Sequence, residues 1–458
     1  MYKIQHGSRV SRGGSLSANP RRVALAVLRA SAEGARPEDV LNRDGVMLSQ
    51  KDLSLATHII YTCVRHRSRL DFLIDGKLES AKNTPQTVRI ILRMGLAQLL
   101  FLTRLAKHVV VSETAELAKK FSPGREGLVN AILRSFIIDM ESDSYFPKEI
   151  DGRETPLVTR LATLYSYPDW MAERLIGSGG LREARAFMAA SNQPVPPTIR
   201  VNSRLADRDE FAKTLPFETV PTKFSPWGLL PTGFGGKLRA WPGYDEGLFS
   251  IQDEASQITG LLAAGDAEPQ NVLDVCAGLG GKTFVILNAF PKARALALDR
   301  REDRLKALSL EARRLRLQDS VRVMTGDLTE LDFRPRFDLV IVDAPCSGLG
   351  VIRRRPDLKW KKCPGDILRD AELQGTFLDS AAKAVLPGGK LIYSVCTVTE
   401  EEGPGVAKKF LERNGDFRPD ESLLPELAPL VSGPGQLTLL PHRHGTDGFH
   451  YSVFRRKD

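Results

Sequence analysis

The chain is short of cysteine, with 5 among 458 residues. So sparse and odd a set excludes a disulfide scaffold and points to a reducing compartment. Long hydrophobic runs are missing too. The longest, Ile90 to Leu105, is broken by Arg93 and Arg104, which excludes a membrane span. The first 19 residues are rich in Ser, Gly and Arg and hold no apolar core of signal-peptide length. They read as a flexible basic arm, and the cytoplasm is the expected location. Internal repeats are absent. Acidic residues are in deficit, 56 against 65 Lys and Arg for a net charge of +9, a balance that favours a polyanionic partner. With 42% apolar and 26% charged residues, the chain can pack ordinary cores, about three domains at usual sizes.

The periodicity divides the chain. From Pro20 to Ile150 apolar residues recur at helical spacing, beginning behind a proline suited to a first turn, and no alternating strand pattern occurs. The basic cluster Arg65-His-Arg-Ser-Arg69 suits either a helix carboxyl end or RNA contact. Residues 151–246 mix signals: helices from Pro168 and over Arg182 to Ser191, a strand at Thr198–Asn202, a helix at Asp209–Leu215. A linker rich in glycine (Gly233, Gly235, Gly236, Gly243) follows. From Gly247 to Asp458 strands and helices alternate, predicting a parallel sheet with helices on both faces. The expected strands are Val272–Val275, Ala295–Asp299, Val321–Met324, Leu339–Val342 and Lys390–Ser394. An antiparallel edge pair, Gln436–Leu440 and Phe449–Arg455, is expected last. Helices are expected at Thr283–Ala289, Asp303–Leu315, Ala371–Val385 and Glu402–Arg413.

Two cysteines fall just past strand ends, Cys346 in Asp343-Ala-Pro-Cys-Ser-Gly348 and Cys396 in Tyr393-Ser-Val-Cys-Thr397. A cysteine in such a place is most often a small buried apolar residue. The company of these two argues for more, because the carboxyl edge of an open sheet is where ligands bind. Paired thiols beside a Gly-rich loop suit covalent catalysis on a poor nucleophile. Carbon 5 of cytosine is one, since it accepts a methyl group only after a nucleophile adds at carbon 6. Cys276 reads as packing beneath the first turn, and Cys63 and Cys363 lack partners that imply chemistry.

The first strand runs into Cys276-Ala-Gly-Leu-Gly-Gly-Lys282. Glycines let a ligand approach the backbone, and the following helix offers free amides. The loop is too short for a phosphate-cradling P-loop, whose first glycine would fall on Cys276, and Thr283 stands where a dinucleotide fold needs its third glycine. Acids follow three successive strands: Asp299, placed for ribose hydroxyls, Asp327, placed for an adenine amino group, and Asp343. Any one of them could merely cap a helix. Together they suit adenosine bearing a cationic sulfonium and repel a triphosphate.

On these residues, with Gln252-Asp-Glu-Ala-Ser-Gln257, Arg354-Arg-Pro-Asp-Leu-Lys-Trp360 and Asp447-Gly-Phe449, the chain resembles the Sun/NOL/NOP family of RNA cytosine-C5 methyltransferases, in its bacterial small-subunit ribosomal RNA subgroup. The helical stretch 20–150 resembles the NusB-type RNA-binding domain that this subgroup carries in front. The resemblance implies a Rossmann-like, S-adenosylmethionine-dependent α/β methyltransferase domain at 247–458, preceded by a small α+β region at 151–246. It further implies Cys396 as nucleophile and Cys346 as the thiol assisting release. Cofactor contacts would come from Cys276, Ala277, Gly278, Leu279, Gly280, Gly281, Lys282, Asp299, Asp327 and Asp343, with Arg304 nearby. The chain departs from the family pattern at Gly278-Leu279, where Ala-Pro is usual, at Thr397, where Ser is common, and at His450, where Phe often stands.

The expected chemistry has Cys396 adding to carbon 6 while Asp343 holds a proton on the N3–N4 edge; Lys282 could add charge there or point at the cofactor or the helix end. The cytidine must leave its stack. Six basic residues in Arg353-Arg-Arg355 and Lys359-Trp-Lys-Lys362, with Trp360 for stacking, are the expected RNA track. RNA is the expected partner, with neither membrane nor metal, and a monomer is expected. Two other readings stay open. In a DNA cytosine methyltransferase Cys346 would be the nucleophile, against which Cys396 speaks. A non-catalytic RNA-binding assembly protein would have no need of both thiols and all three acids.

Overall fold

The computed structural model describes residues 19–141, 155–233, 238–265, 268–331 and 333–458. The expected basic arm up to residue 18, and Gly235 and Gly236 of the expected linker, lie outside these. Internal contacts divide the chain into two compact units, one ending at Tyr167 and one starting at Pro168.

The first unit is helical among the described residues: α1 (Pro20–Ala32), α2 (Pro37–Asp44), α3 (Gln50–Arg65), α4 (Arg67–Asp75), α5 (Gln86–Phe101), α6 (Lys107–Phe121), α7 (Glu126–Glu141) and α8 (Leu157–Tyr165). Asn19 caps α1 by accepting from the Arg21 and Arg22 amides, with Pro20 in the first turn, where a missing N–H costs nothing. Arg93, which breaks the apolar run of α5, pairs with Asp71 at 2.5 and 2.8 Å. Gly95 lets α5 approach α7, since a Cβ there would stand 2.7 Å from Leu133. The cluster 65–69 spans the junction of α3 and α4, with Arg65 buried.

The second unit opens with α9 (Asp169–Ser191), bent where Gly180 leaves helical geometry at φ 76. The two helices expected here therefore adjoin across a kink. Next come β1 (Ile199–Val201), α10 (Arg208–Thr214), β2 (Thr219–Pro221), β3 (Gly228–Pro231) and β4 (Phe249–Ile251). The four strands form an antiparallel sheet in the order β2-β3-β1-β4. The expected linker does not separate two bodies. Trp241 and Phe249 are buried in this sheet's core, and Asn202 donates to both Gly247 O and Leu315 O at 3.0 Å.

The remainder runs α11 (Glu254–Leu262), β5 (Asn271–Val275), α12 (Gly281–Ala289), β6 (Arg294–Asp299), α13 (Glu302–Arg314), β7 (Val321–Thr325), β8 (Phe337–Asp343), α14 (Leu358–Lys361), α15 (Pro364–Ala382), β9 (Val385–Val395), α16 (Pro404–Arg413), β10 (Phe417–Pro419), β11 (Val431–Gly433), β12 (Gln436–Leu439), α17 (Pro441–His444) and β13 (Phe449–Arg456). The large sheet has the order β11-β12-β13-β9-β8-β5-β6-β7, with β10 beside β13. Strands β5 to β9 are parallel and the rest antiparallel. Successive residues alternate between two buried cores: Val272, Leu339, Ile341 and Ile392 on one face, Leu273, Val275, Val340 and Val342 on the other. Both faces are covered by helices, which is why these strands read as unbroken apolar runs. Two expectations need correction. The last pair is not at the edge, because β13 lies between β12 and β9 and β11 lies outside β12. Helix α15 begins at Pro364, seven residues early, because Cys363 and Asp366 close a capping box there.

Candidate active site

Strand β5 lies between β6 and β8, where crossovers diverge and a crevice opens at the carboxyl ends. The turn from β5 into α12 runs through left-handed backbone at Cys276 (φ 62), Gly278 (φ 57) and Gly280 (φ 83). At Gly280 a Cβ would come within 2.7 Å of Phe284 and 2.8 Å of Leu308. Glycine here lets α12 pack down while Leu279 stands 63% exposed. Burial, aided by Asp343, Asp299 and Asp274, pushes the Cys276 thiol up to about 12, so it packs as an inert group.

Asp299 accepts from the Gly278 amide at 2.9 Å and the Arg301 amide at 2.8 Å. Asp327 accepts from the Thr329 amide and hydroxyl at 2.9 and 2.7 Å and faces Arg300 at 3.3 Å. Arg304 Nη1 and Cys276 O each lie 3.9 Å from where a Gly278 Cβ would be. This donor set fits S-adenosylmethionine. Each Asp299 oxygen keeps a second lone pair for a ribose hydroxyl, the space over Gly278 is open, and Asp343 offers a countercharge for a sulfonium.

Across the crevice, Lys282 extends from the first turn of α12, where a cation opposes the helix dipole. Its ammonium lies 2.8 Å from Asp343 Oδ1 and 5.0 Å over the Phe449 ring. Burial is the largest influence and works against its charge, but Asp343, Tyr451 and Cys396 together outweigh it and hold it cationic. Asp343 also accepts from the Ser394 hydroxyl at 3.0 Å. Its side chain remains 37% exposed to the crevice.

The two thiols meet. Cys346 and Cys396 lie with their sulfurs 3.3 Å apart, hydrogen-bonding distance and well beyond the ~2.05 Å of a disulfide. The hydrogen bond to Cys396, then burial, push Cys346 well up, which keeps it a thiol. Their loops are locked at close quarters. Gly350 donates to Cys396 O at 3.0 Å, and Gly448 donates to Gly350 O at 2.8 Å. A Cβ on Gly350 would fall 2.0 Å from Gly448 O.

Sequence reasoning missed three buried groups. Glu402, taken for a helix start, accepts from the Ser347 amide at 2.7 Å and hydroxyl at 2.5 Å. It also accepts from the Thr397 and Thr399 hydroxyls at 3.1 and 2.8 Å. Arg200, in β1, donates to Gln252 Oε1 at 2.6 Å and Gly281 O at 2.7 Å, and burial lowers it to about 9. Asp274 accepts from the Thr283 hydroxyl, while its other oxygen is buried without a hydrogen-bond partner. Burial pushes Asp274 from 3.8 to about 7. A raised folded-state value gives stability that is complete at low pH and lost as pH rises from about 4 to about 7. Wild type should therefore lose a few kcal/mol between pH 4 and 8 that Asp274→Asn keeps, measured by urea unfolding at both ends. A parallel decline in the two proteins would refute this.

The expected RNA track requires correction. Arg353 bonds Asp447 and Gly445 O and reaches Asp253 at 3.1 Å. Arg354 bonds Asp253 at 2.6 Å and Asp447 at 2.9 Å. Arg355 and Lys361 pair with Asp357, Lys362 pairs with Asp370, and the fully buried Lys359 donates to Asn192. Arg353 and Arg354 thereby hold the segment after the Cys346 loop against the start of α11 and the turn before β13. Pairing with Asp253, Asp447, Asp357 and Asp370 offsets much of the charge that a phosphate backbone would meet.

Three family models match the chain: 16S rRNA methyltransferase RsmB/F over residues 261–455, the NusB family over 18–137, and the Methyltr_RsmF/B-like, ferredoxin-like domain over 167–231. The last falls on α9 and strands β1 to β3. A ribosomal RNA small subunit methyltransferase B of Thermus thermophilus is 35% identical over 445 residues, 95% of this chain and 98% of that protein. The Escherichia coli protein of the same name is 31% identical over 444 residues, 95% of this chain and 97% of its own. In structure, the crystal structure of PH0851 superposes with a TM-score of 0.76 at 22% identity, covering 97% of this chain and all of that one, a likeness of fold. No helix among the described residues is long and apolar enough to cross a membrane. With this resemblance running through almost its whole length, the chain belongs to the 16S rRNA methyltransferase RsmB/F family.

Proposed function

We propose that this protein methylates carbon 5 of a cytidine in small-subunit ribosomal RNA, through an adduct between Cys396 and carbon 6. The observation that carries the reading is the pair of thiols 3.3 Å apart at the same crevice as the Lys282–Asp343 pair. Loop 276–282, Asp299, Asp327 and Asp343 would hold S-adenosylmethionine, with Arg304 beside the loop; bound there, it supplies an electrophilic methyl group for carbon 5. The Cys396 thiolate forms the S–C6 bond, and the displaced C5=C6 electron pair is delocalised toward a ring that Asp343 keeps protonated at N3. Lys282 fixes the Asp343 carboxylate and sets positive charge beside the cysteine. After methylation a base takes the C5 proton, the S–C6 bond breaks to restore the double bond, and Cys346 assists that release.

The division of labour follows the sequence reading: residues 20–150 bind RNA, 151–246 connect, 247–458 carry the chemistry, and the protein works in the cytoplasm. Relatives named for small-subunit ribosomal RNA support the choice of substrate. Nucleoside mass spectrometry of small-subunit ribosomal RNA treated with wild-type protein and S-adenosylmethionine should show new 5-methylcytidine. Methylation solely on nitrogen or ribose, or equal transfer to DNA, would defeat the proposal.

A further inference from the structure

Glu402 is fully buried, and its carboxylate collects hydrogen bonds from three separate segments. One oxygen takes the Ser347 amide at 2.7 Å and the Gln374 side-chain amide at 3.3 Å. The other takes the hydroxyls of Ser347, Thr397 and Thr399 at 2.5, 3.1 and 2.8 Å. Ser347 directly follows Cys346, and Thr397 directly follows Cys396. The Ser347 and Thr397 hydroxyls also stand 2.9 Å from each other. The backbone of Glu402 is fixed in turn, its carbonyl accepting from the Tyr393 hydroxyl at 2.5 Å, and that hydroxyl lies 2.9 Å from Gln374 Oε1.

A buried charge is tolerated only where several donors compensate it. Here every donor from the thiol loops belongs to the residue after a cysteine or to the next turn. A core that needed only packing would place an apolar side chain at this point. We infer that Glu402 is a positioning residue for the proposed methyl transfer: it clamps the residue following each cysteine and so sets the separation and mutual aim of the two sulfurs. The inference rests on the reading of Cys396 and Cys346 as nucleophile and releasing thiol. The negative charge also adds to the groups that keep Cys346 protonated, after the hydrogen bond to Cys396 and burial.

The test uses full-length Glu402→Gln, which keeps the size and loses the charge and half the acceptors, beside Ser347→Ala and Thr397→Val, which each cut one tether. Two readouts are compared: steady-state methylation of small-subunit ribosomal RNA, and the rate at which diamide, reduced to its hydrazine, oxidises the two thiols to a disulfide. Glu402→Gln should lower kcat by about 100-fold with the KM for S-adenosylmethionine within about twofold, because an error near 1 Å at the reacting atoms has that scale. Disulfide trapping should slow by about tenfold, and each single tether variant should fall between wild type and Glu402→Gln. Wild-type trapping rates in Glu402→Gln would overturn the inference, as would equal losses in kcat and cofactor affinity with a lowered unfolding temperature. Should Glu402→Gln not fold, the tether variants decide by the same criteria. A wild-type protein that makes no 5-methylcytidine while trapping still depends on Glu402 would sink the methyl-transfer reading and leave the clamp standing.

Discussion

Cys396→Ala protein should transfer methyl groups at least ~10,000-fold more slowly than wild type, the scale of losing a catalytic nucleophile. It should also form no covalent complex with RNA. Cys346→Ala should behave differently: given S-adenosylmethionine and small-subunit ribosomal RNA, it should accumulate a protein–RNA adduct that survives denaturation and shows as a shifted band on a denaturing gel. The asymmetry follows from the geometry of the pair. Cys346 keeps its proton, because its thiol is hydrogen-bonded to Cys396 and buried, so it can attend the sulfur of Cys396 without competing for carbon 6. Removing it leaves the attacking sulfur in place and takes away the group 3.3 Å distant that release would use. An adduct formed by Cys396→Ala and absent from Cys346→Ala would exchange the two roles and restore the mechanism expected of a DNA cytosine methyltransferase.

Lys282→Met should lower the single-turnover rate by about 100- to 1,000-fold, with binding of S-adenosylmethionine weakened by no more than about tenfold. Methionine fills much of the lysine volume, so the Phe449 face stays covered and the substitution removes chiefly the charge. Wild-type Asp343 is held by an ammonium 2.8 Å from Oδ1; without it the carboxylate is free to turn toward water. Because the Asp343 side chain is 37% exposed, it can be hydrated, and the folded state should change little on thermal unfolding. A Lys282→Met enzyme with the wild-type single-turnover rate would reduce the lysine to a packing role.

The parallel strands were legible because burial on both faces leaves each as a compact apolar run, Val272–Val275 or Leu339–Val342. The small sheet was not, apart from β1. Strands of three or four residues such as Thr219–Pro221 and Gly228–Pro231 are too short to establish a period, and their pairing is decided by partners far along the chain. At the crevice the two cysteines meet, and Lys282, whose direction the sequence left open, turns to Asp343. Asp299 and Asp327 also stand at their strand ends, where they bond backbone amides as capping residues do. The cations at 353–362 were misjudged for a different reason. Their nearest acid in sequence is Asp357, but Asp253 and Asp447, which neutralise Arg353 and Arg354, lie about a hundred positions away. Glu402 escaped notice because its five donors come from three segments, and nothing in Glu400-Glu-Glu402 marks the third acid from the first two.

Arg200 reaches out of the four-stranded sheet to the carbonyl of Gly281, the residue on which α12 begins. A fragment cut at the apparent start of the methyltransferase fold, near Gly247, would strip that carbonyl and Gln252 of their shared partner. Through Arg200 the small sheet thus helps to fix the start of α12. A gene that traded one without the other would inherit a β5–α12 turn missing one of its anchors, and fusions or truncations made in the laboratory face the same boundary.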